Sequence, residues 1–364
     1  MFPKGKEAVA LKKTNVCVLF GGVSPEHAVS LRSAEAILSH MDAEKYNIFP
    51  VGITKEGKWI LFGGKDYSCL PDESWQQHPD NRPAAFSPVR GQGLLVFEND
   101  NSTSIIMDVV FPVLHGENGE DGSVQGLMQI AGIPFVGAGV AASAVAMDKT
   151  LTKLVMDQAG IPQAAWHLVR RGELSGRLEK VLDDVESKFS YPVFVKPAGT
   201  GSSVGVSKAA DRAVLEEALL HAGKYDEKIL VEEFVPGKEI EVAVMGNGSP
   251  VASVCGEIDS GAEFYDYDAK YVTDTSVAYI PARIPEETAE QIRELAIRAY
   301  KAVNSRGLSR VDFFVTHAEG RVVLNEINTL PGFTSISMYP KLFEASGIPY
   351  GQLIDRLVSL ALEE

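Results

Sequence analysis

What most constrains this chain is a change, near its middle, in how its apolar runs are connected. Before about residue 140 short β-branched runs alternate with amphipathic helical segments, and from Tyr191 onward such runs follow one another across short glycine-containing turns. VCVLF at residues 16 to 20 reads as a buried strand, Gly21-Gly22 as a turn, Glu26 to His40 as a helix and Asn47 to Ile53 as a second strand. The unit recurs with a strand at Asp108 to Leu114, the loop HGENGEDG, a helix at Ser123 to Ala131 and a returning strand at Ile133 to Val136. Strands joined through helices run parallel, so this part predicts an α/β domain with a parallel sheet. Residues 63 to 93, rich in Gly, Pro, Asp and Ser without periodicity, predict irregular surface.

A helix from about Ala142 to Gln158, ended by Gly160 and Pro162, divides the two halves. In the second half the runs YPVFVKP, VGVSKA, ILVEEF, EIEVAVM and PVASVCGEI, linked by AGTGSS, PGK and GNG, predict hairpins and therefore antiparallel sheet. Helices are expected at 211–222, 286–303 and 350–362. The fold class is thus α/β and α+β, multidomain, as a length of 364 residues allows.

Composition excludes some partners. With 34 Lys+Arg against 49 Asp+Glu and a net charge of -15, the acidic surplus argues against nucleic acid. Cys17, Cys69 and Cys255 show no paired or zinc-ligand spacing, which fits a reducing compartment. The run Val16 to Phe20 is cut short by glycines, and Phe135 to Met147 is shorter than a membrane span. The expectation is a cytoplasmic protein without membrane insertion.

Several segments could carry chemistry. The loop Ala198-Gly199-Thr200-Gly201-Ser202-Ser203, directly after Lys196, is either a phosphate cradle of backbone N–H and hydroxyl groups or a flexible turn. It lacks the G-K-[ST] of a P-loop, and no G-x-G-x-x-G follows the first strand, which disfavours a dinucleotide oxidoreductase. In SRVDFFV-THAEG-RVVLNEIN a three-residue loop Ala318-Glu319-Gly320 would set Asp312 opposite Glu326 and Arg310 opposite Asn328, all on one face. Two carboxylates and an amide oxygen converging there suit a hard cation, the alternative being a solvated hairpin. Ser24-Pro25-Glu26 is good helix-start chemistry that requires no function. His115 opens a glycine-rich loop at the end of a strand, as a ligand contact or a structural residue. Residues 259 to 276, DSGAEFYDYDAKYVTDTS, read as a lid or as an ordinary exposed loop.

Taken in order, GGVSPEHAVS, HGENGEDGSVQG, MDK, FVKPAGTGSSVGV, VEEFVPGKEIEV, FYDYDAKY, SRVDFF and LNEINTLPGFTSISMYP resemble the D-alanine–D-alanine ligases of the ATP-grasp superfamily over most of residues 16 to 362. The resemblance implies an N-terminal pre-ATP-grasp substrate domain at 1–145, a central ATP-grasp subdomain at 146–235 and a C-terminal one at 236–364 that carries the metal site and the lid. It implies ATP as substrate, held by Lys149, Lys196, Ser202, Ser203 and Lys270 at the phosphates and by Glu232, Val235 and Glu239 at adenine and ribose. Asp312, Glu326 and Asn328 match the ligands of two Mg2+ ions, for which Mn2+ can substitute. Glu26 matches the group that receives the first D-alanine's ammonium, with His115 beside it. Arg310 and the backbone of Gly332 match the stabilisers of the tetrahedral intermediate, and Ser337 and Met338 the second substrate's carboxylate site. Dimerisation through the N-terminal domain is a further expectation of the family.

The resemblance also frames the rivals. A ligase making D-alanyl-D-lactate or D-alanyl-D-serine would share the fold, and Tyr271, linked through Ser202 to Glu26 in the family, goes with dipeptide formation where depsipeptide ligases tend to carry histidine. Ala28 stands where many relatives have an acid. An inactive nucleotide-binding regulator is disfavoured because a binder has no need of an oxyanion site such as Arg310.

Overall fold

The computed structural model describes residues 12 to 259 and 277 to 363. Among the described residues the strands form three sheets of seven, four and five strands. The first strand, Thr14–Gly21, pairs in parallel with Tyr46–Ile53 on one side and with Val109–Val113 on the other. The intervening helix, His27–His40, buries Val29, Leu31, Ala34, Ile37 and Leu38, the spacing that turns one helical face to a sheet. The parallel core and the helix Ser123–Ala131, closed by Gly132 at φ +69, stand as expected. Ile133 to Val136 contributes only a single parallel bridge, Val110 to Phe135, and not a full strand.

Residues 63 to 93 are mostly turns and loop, as expected, but hold one strand and one 3-10 turn. Trp59–Leu61, Arg82–Phe86, Leu94–Glu98 and Asn101–Ile105 extend the sheet with antiparallel pairings. Between them a 3-10 turn, Ser74–Gln77, drops Trp75 into the core, where it meets Phe20 edge-on at 5.1 Å. A single aromatic anchor on a short turn has no period, so pattern reading passes over it.

The dividing helix is two helices, Val140–Met147 and Lys149–Gln158, broken at Asp148, whose carboxylate accepts hydrogen bonds from the Thr150 and Leu151 amides. An aspartate that can cap a new helix favours this break over continuing the old one. Two helical elements and the strand Trp166–Arg170 escaped the pattern. The helical stretch Arg171–Glu186 is interrupted by non-helical backbone from Ser175 to Arg177. Met338–Ala345 is a helix of eight residues.

The second half is mainly antiparallel, as expected, but its pieces divide between two sheets. Ser207–Ala209, Val193–Pro197, Lys228–Glu233 and Trp166–Arg170 make the four-stranded sheet, and Val277–Tyr279, Val251–Asp259, Gly237–Met245, Leu308–Thr316 and Val322–Asn328 the five-stranded one. The turn at Pro236 is therefore no hairpin: Lys228–Glu233 and Gly237–Met245 lie in different sheets, and the turn carries the chain from one to the other. Helix Glu286–Ala302 covers one face of the five-stranded sheet, packing Ile292, Leu295, Ala296 and Ala299 among Val311, Phe313 and Val315. The opposite face is shared: Met338–Ala345 packs on Ala243, Met245 and Leu308 at one end, and Glu241, Arg310, Asp312, Glu326 and Asn328 occupy the rest.

The C-terminal hairpin reaches the expected pairs by another route. Its loop has four residues, 317 to 320, with Gly320 at φ +63, and near the turn Val315 faces Val322 and Phe313 faces Leu324. A shift beside Asp312 then leaves one extra residue, Asn325, on the second strand, restoring Asp312 opposite Glu326 and Arg310 opposite Asn328. The bulge supplies the odd residue that the loop was expected to supply. No helix among the described residues is long and apolar enough to cross a membrane.

Candidate active site

A cavity of about 550 Å³ lies between the four- and five-stranded sheets, with walls drawn from both. On the first wall Lys196 pairs in register with Leu230, so Glu232 sits diagonally beside it on the same face. Lys196 Nζ is 2.6 Å from one Glu232 oxygen, and Lys153 Nζ, from helix Lys149–Gln158, is 2.5 Å from the other. Burial alone would raise the Glu232 pKa, but the charges and hydrogen bonds of Lys153 and Lys196 overcome it and hold the carboxyl at about 2. The triad carries one net positive charge, suited to an anionic ligand.

The glycine loop closes the end of this wall. Lys149 Nζ donates to the Thr200 carbonyl at 2.6 Å, and the Gly199 amide to Asp226 at 2.7 Å. Ser202 and Ser203 both adopt left-handed backbone, φ +48 and +59, which non-glycine residues hold at a cost of about 1–3 kcal/mol each. What holds Ser202 there is its hydroxyl, which hydrogen bonds to the carboxylate of Glu26. Glu26 stands at the N-cap position of the first helix; Ser24 does not cap the helix, and its Oγ accepts from the Glu26 amide at 3.1 Å. A Cβ on Gly116 would lie 2.5 Å from Glu26 Oε2, so only glycine lets that loop approach so near.

His115 is buried behind Glu26, with Nδ1 3.2 Å from the Leu330 carbonyl and 3.5 Å from Glu120, and Nε2 3.3 Å from Ser33 Oγ. Burial works to lower its pKa, but the hydrogen bond and charge of Glu120, helped by Glu26, raise it above the usual 6.5. Ser33, itself fully buried, also accepts the Phe333 amide at 3.2 Å, tying the first helix to the loop that follows the last strand.

On the sheet face that continues from the second wall Glu241, Asp312 and Glu326 lie side by side across three neighbouring strands, and of these only Glu326 lines the cavity. Arg310 Nε and Nη2 grip both oxygens of Asp312 at 2.8 and 2.7 Å, while Asn328 Nδ2 donates to Asp312 at 3.0 Å. Arg310 Nε also ion-pairs with Glu241 at 3.0 Å. Burial opposes the guanidinium charge, yet Asp312 and Glu241 raise its pKa well above the ordinary value. Glu326 and Asn328 line the cavity and Asp312 lies one contact deeper, 1 % exposed. Two carboxylates and an amide make an all-oxygen donor set suited to Mg2+, once the Asn328 amide turns its oxygen inward. Among the described residues no three acidic, His or Cys side chains form a ready metal site.

The remaining expected residues divide into three groups. Lys149, Val235 and Glu239 line the cavity. Gly332 and Ser337 adjoin each other, a Cβ on Gly332 falling 2.8 Å from Ser337 Oγ, and Met338 opens helix Met338–Ala345 with its side chain buried in the core. These three lie off the cavity; the Phe333 amide, next to Gly332, is tied to Ser33 and through it to His115. Lys270 and Tyr271, with residues 260 to 276 of the expected lid, lie outside the described residues. Sequence reasoning missed Lys153, Ser33 and Glu241. Lys153 and Ser33 had a signal, a polar residue at helical spacing among buried neighbours, Thr150 and Met156 for one and Ser30 and Ile37 for the other.

Family models match along most of the chain: "D-ala D-ala ligase N-terminus" over residues 15–138 and "D-ala D-ala ligase C-terminus" over residues 155–359. The chain is 51% identical over 363 residues to a D-alanine–D-alanine ligase of Acetivibrio thermocellus, spanning 96% of each chain. It is 52% identical over 355 residues to one of Caldicellulosiruptor bescii, spanning 97% of this chain and 96% of that protein. Among solved structures, the VanG D-Ala:D-Ser ligase from Enterococcus faecalis superposes with a TM-score of 0.87 at 36% identity, covering 96% of this chain and 100% of that one. The D-alanine–D-alanine ligase from Coxiella burnetii gives 0.82 at 36% identity, with coverages of 96% and 95%. These matches, on a chain whose facing sheets set lysines against a carboxylate–arginine hairpin, make it an ATP-dependent ligase of the ATP-grasp superfamily. Within that class, the chain belongs to the D-alanine–D-alanine ligase family.

Proposed function

We propose that the chain joins two D-alanines into D-alanyl-D-alanine while ATP is split to ADP and phosphate, supplying the dipeptide for bacterial peptidoglycan. One observation carries this reading: a single cavity has the Lys153–Glu232–Lys196 triad and the serine loop on one wall and Glu326 and Asn328 on the other, and Ser202 joins it to Glu26. Lys149, Lys196, Ser202 and Ser203 bind the phosphates, and Glu232, Val235 and Glu239 the adenine and ribose. Glu26 takes the ammonium of the first D-alanine, with His115 beside it. Two Mg2+ ions, replaceable by Mn2+, would be held by Asp312, Glu326 and Asn328 and would offset phosphate charge during transfer.

The first carboxylate takes the γ-phosphoryl group to form an acyl phosphate, and ADP leaves. Lys270 and Tyr271 belong to the segment that would exclude water from this intermediate. Ser337 and the start of helix Met338–Ala345 hold the second carboxylate. That substrate's amine attacks the acyl carbon, and Arg310 and the Gly332 amide stabilise the oxyanion until phosphate departs. Three sequence units, a homodimer through the N-terminal domain and a cytoplasmic setting complete the proposal, supported by the family resemblance alone.

The test supplies ATP, Mg2+ and D-alanine, with D-serine or D-lactate as competitor, and identifies products by mass. D-Alanyl-D-alanine should dominate. The likeness to a D-Ala:D-Ser ligase gives D-serine a specific claim as second substrate. Preferential D-alanyl-D-serine would move the assignment to that activity, D-lactate used as well as D-alanine would remove the role given to Tyr271, and ATP hydrolysis with no coupled product would overturn the ligase.

A further inference from the structure

We propose that Glu241 is a positioning residue for the ligation, acting through Arg310. It is the second counter-ion that lets the guanidinium yield Asp312 to a divalent cation and still keep its place. Glu241 does not line the nucleotide cavity and has no part in the roles above, yet it is 4 % exposed on the polar face of the five-stranded sheet, directly across from Asp312. Both Asp312 oxygens are gripped by Arg310, and Asn328 donates to one of them. A divalent cation on Asp312 competes with Arg310 for the same carboxylate and repels the guanidinium, so the Arg310–Asp312 grip must loosen when the ion binds. The released guanidinium is largely buried and needs another anion close by, because an unpaired buried charge is strongly disfavoured. Glu241 Oε2 is already 3.0 Å from Arg310 Nε, on the side away from Glu326. Arg310 thus has one anchor on its own strand, Asp312, and one on the neighbouring strand, Glu241, and releasing the first leaves it aimed by the second.

The inference rests on the reading of Asp312 as a cation ligand, and the experiment separates the two. Mn2+ affinity of the apoenzyme is measured from the free-ion EPR signal for wild type, Asp312→Asn, Glu241→Gln, Arg310→Met and the Glu241→Gln/Arg310→Met double variant. Asp312→Asn should lose binding; if it binds like wild type, the ligand assignment itself falls. Glu241→Gln should bind Mn2+ about 10-fold more weakly or worse, the usual size for groups that orient a ligand. In the Arg310→Met background the same change should have less than about a third of that effect, since coupled residues are not additive. An equal loss in both backgrounds would mean that Glu241 acts only as a distant negative charge, and wild-type affinity in Glu241→Gln would mean that it does nothing for the ion; either result overturns the proposal. With Mg2+ saturating, Glu241→Gln should lower kcat and leave KM for ATP within about twofold, because the residue lies off the nucleotide wall. Should either variant fail to fold, Glu241→Asp, which draws the charge back, and Arg310→Lys, which cannot bridge two carboxylates, replace it in the same comparison.

Discussion

Replacing Lys153 by Met tests the buried triad that builds the nucleotide wall. Lys153 and Glu232 are 3% and 5% exposed in their side chains, so water screens their attraction little. A carboxyl held at about 2 instead of its ordinary 4.5 contributes roughly 3 kcal/mol of stability at neutral pH. Methionine keeps most of the length and apolar stem of lysine and removes the charge, leaving Lys196 as the remaining cation against the burial of Glu232. The Glu232 pKa should return to 4.5 or above, and the variant should be less stable by about 3 kcal/mol at pH 7, at the low end for breaking a buried pair. The pH dependence follows from the sign. A depressed carboxyl stabilises above its unfolded pKa and loses that contribution as pH falls toward its folded one. Wild type should therefore hold its advantage at neutral pH, and the gap should narrow once the pH drops below about 5. Urea unfolding of both proteins between about pH 7 and pH 4, followed by circular dichroism, measures that gap. A gap under about 1 kcal/mol at pH 7, or one that does not change with pH, would refute the electrostatic account and leave Lys153 as a packing residue.

Glu326→Gln should keep the protein folded and nearly abolish phosphate release from ATP and D-alanine, since it removes charge from the cation site; wild-type release would remove the metal assignment. Ser33→Ala leaves the Phe333 amide without its buried acceptor and takes a partner from His115, and should lower unfolding stability by about 2 kcal/mol while raising KM for D-alanine. Stability unchanged in urea would show that the 330–333 loop is held by other contacts. His115 has a raised pKa, so its charged form stabilises fully below about 6.5 and that contribution is lost as pH climbs through the folded value. Glu120→Gln should lower the His115 midpoint in an NMR titration and destabilise most on the acid side of neutrality; an unmoved midpoint would remove Glu120 as the cause.

Much of the local structure, and the chemistry that each segment could bring, was readable from the residues alone. The parallel core around Thr14–Gly21 was legible because strands that are apolar throughout, joined by a helix of period 3.6, have few other ways to bury themselves. The polar face of the last hairpin was legible for the complementary reason, that Val311, Phe313 and Val315 claim the other side. Ordered family motifs then pointed to Asp312, Glu326 and Asn328 as expected cation ligands, to the serine loop and to Glu26.

Only the tertiary structure decided which of these segments meet. That Pro236 passes the chain between two sheets, where a hairpin was expected, is set by which strands find partners across space, and the short turn is compatible with either. The bulge at Asn325 sets the register that four loop residues alone would have missed, because one extra residue in a ladder reverses every side chain beyond it. Trp75 lacked a period to betray it. Glu241 looked like one more acid in an alternating strand until pairing set it beside Asp312 and Arg310. Lys153 and Ser33 differ from solvent-facing polar residues only in having partners 79 and 300 residues away or nearly so, Glu232 for one and Phe333 for the other. Local sequence carries the preference of each residue for a conformation. The compensation of a buried charge or hydroxyl depends on distant residues brought within about 3 Å, and that is a property of the folded chain alone.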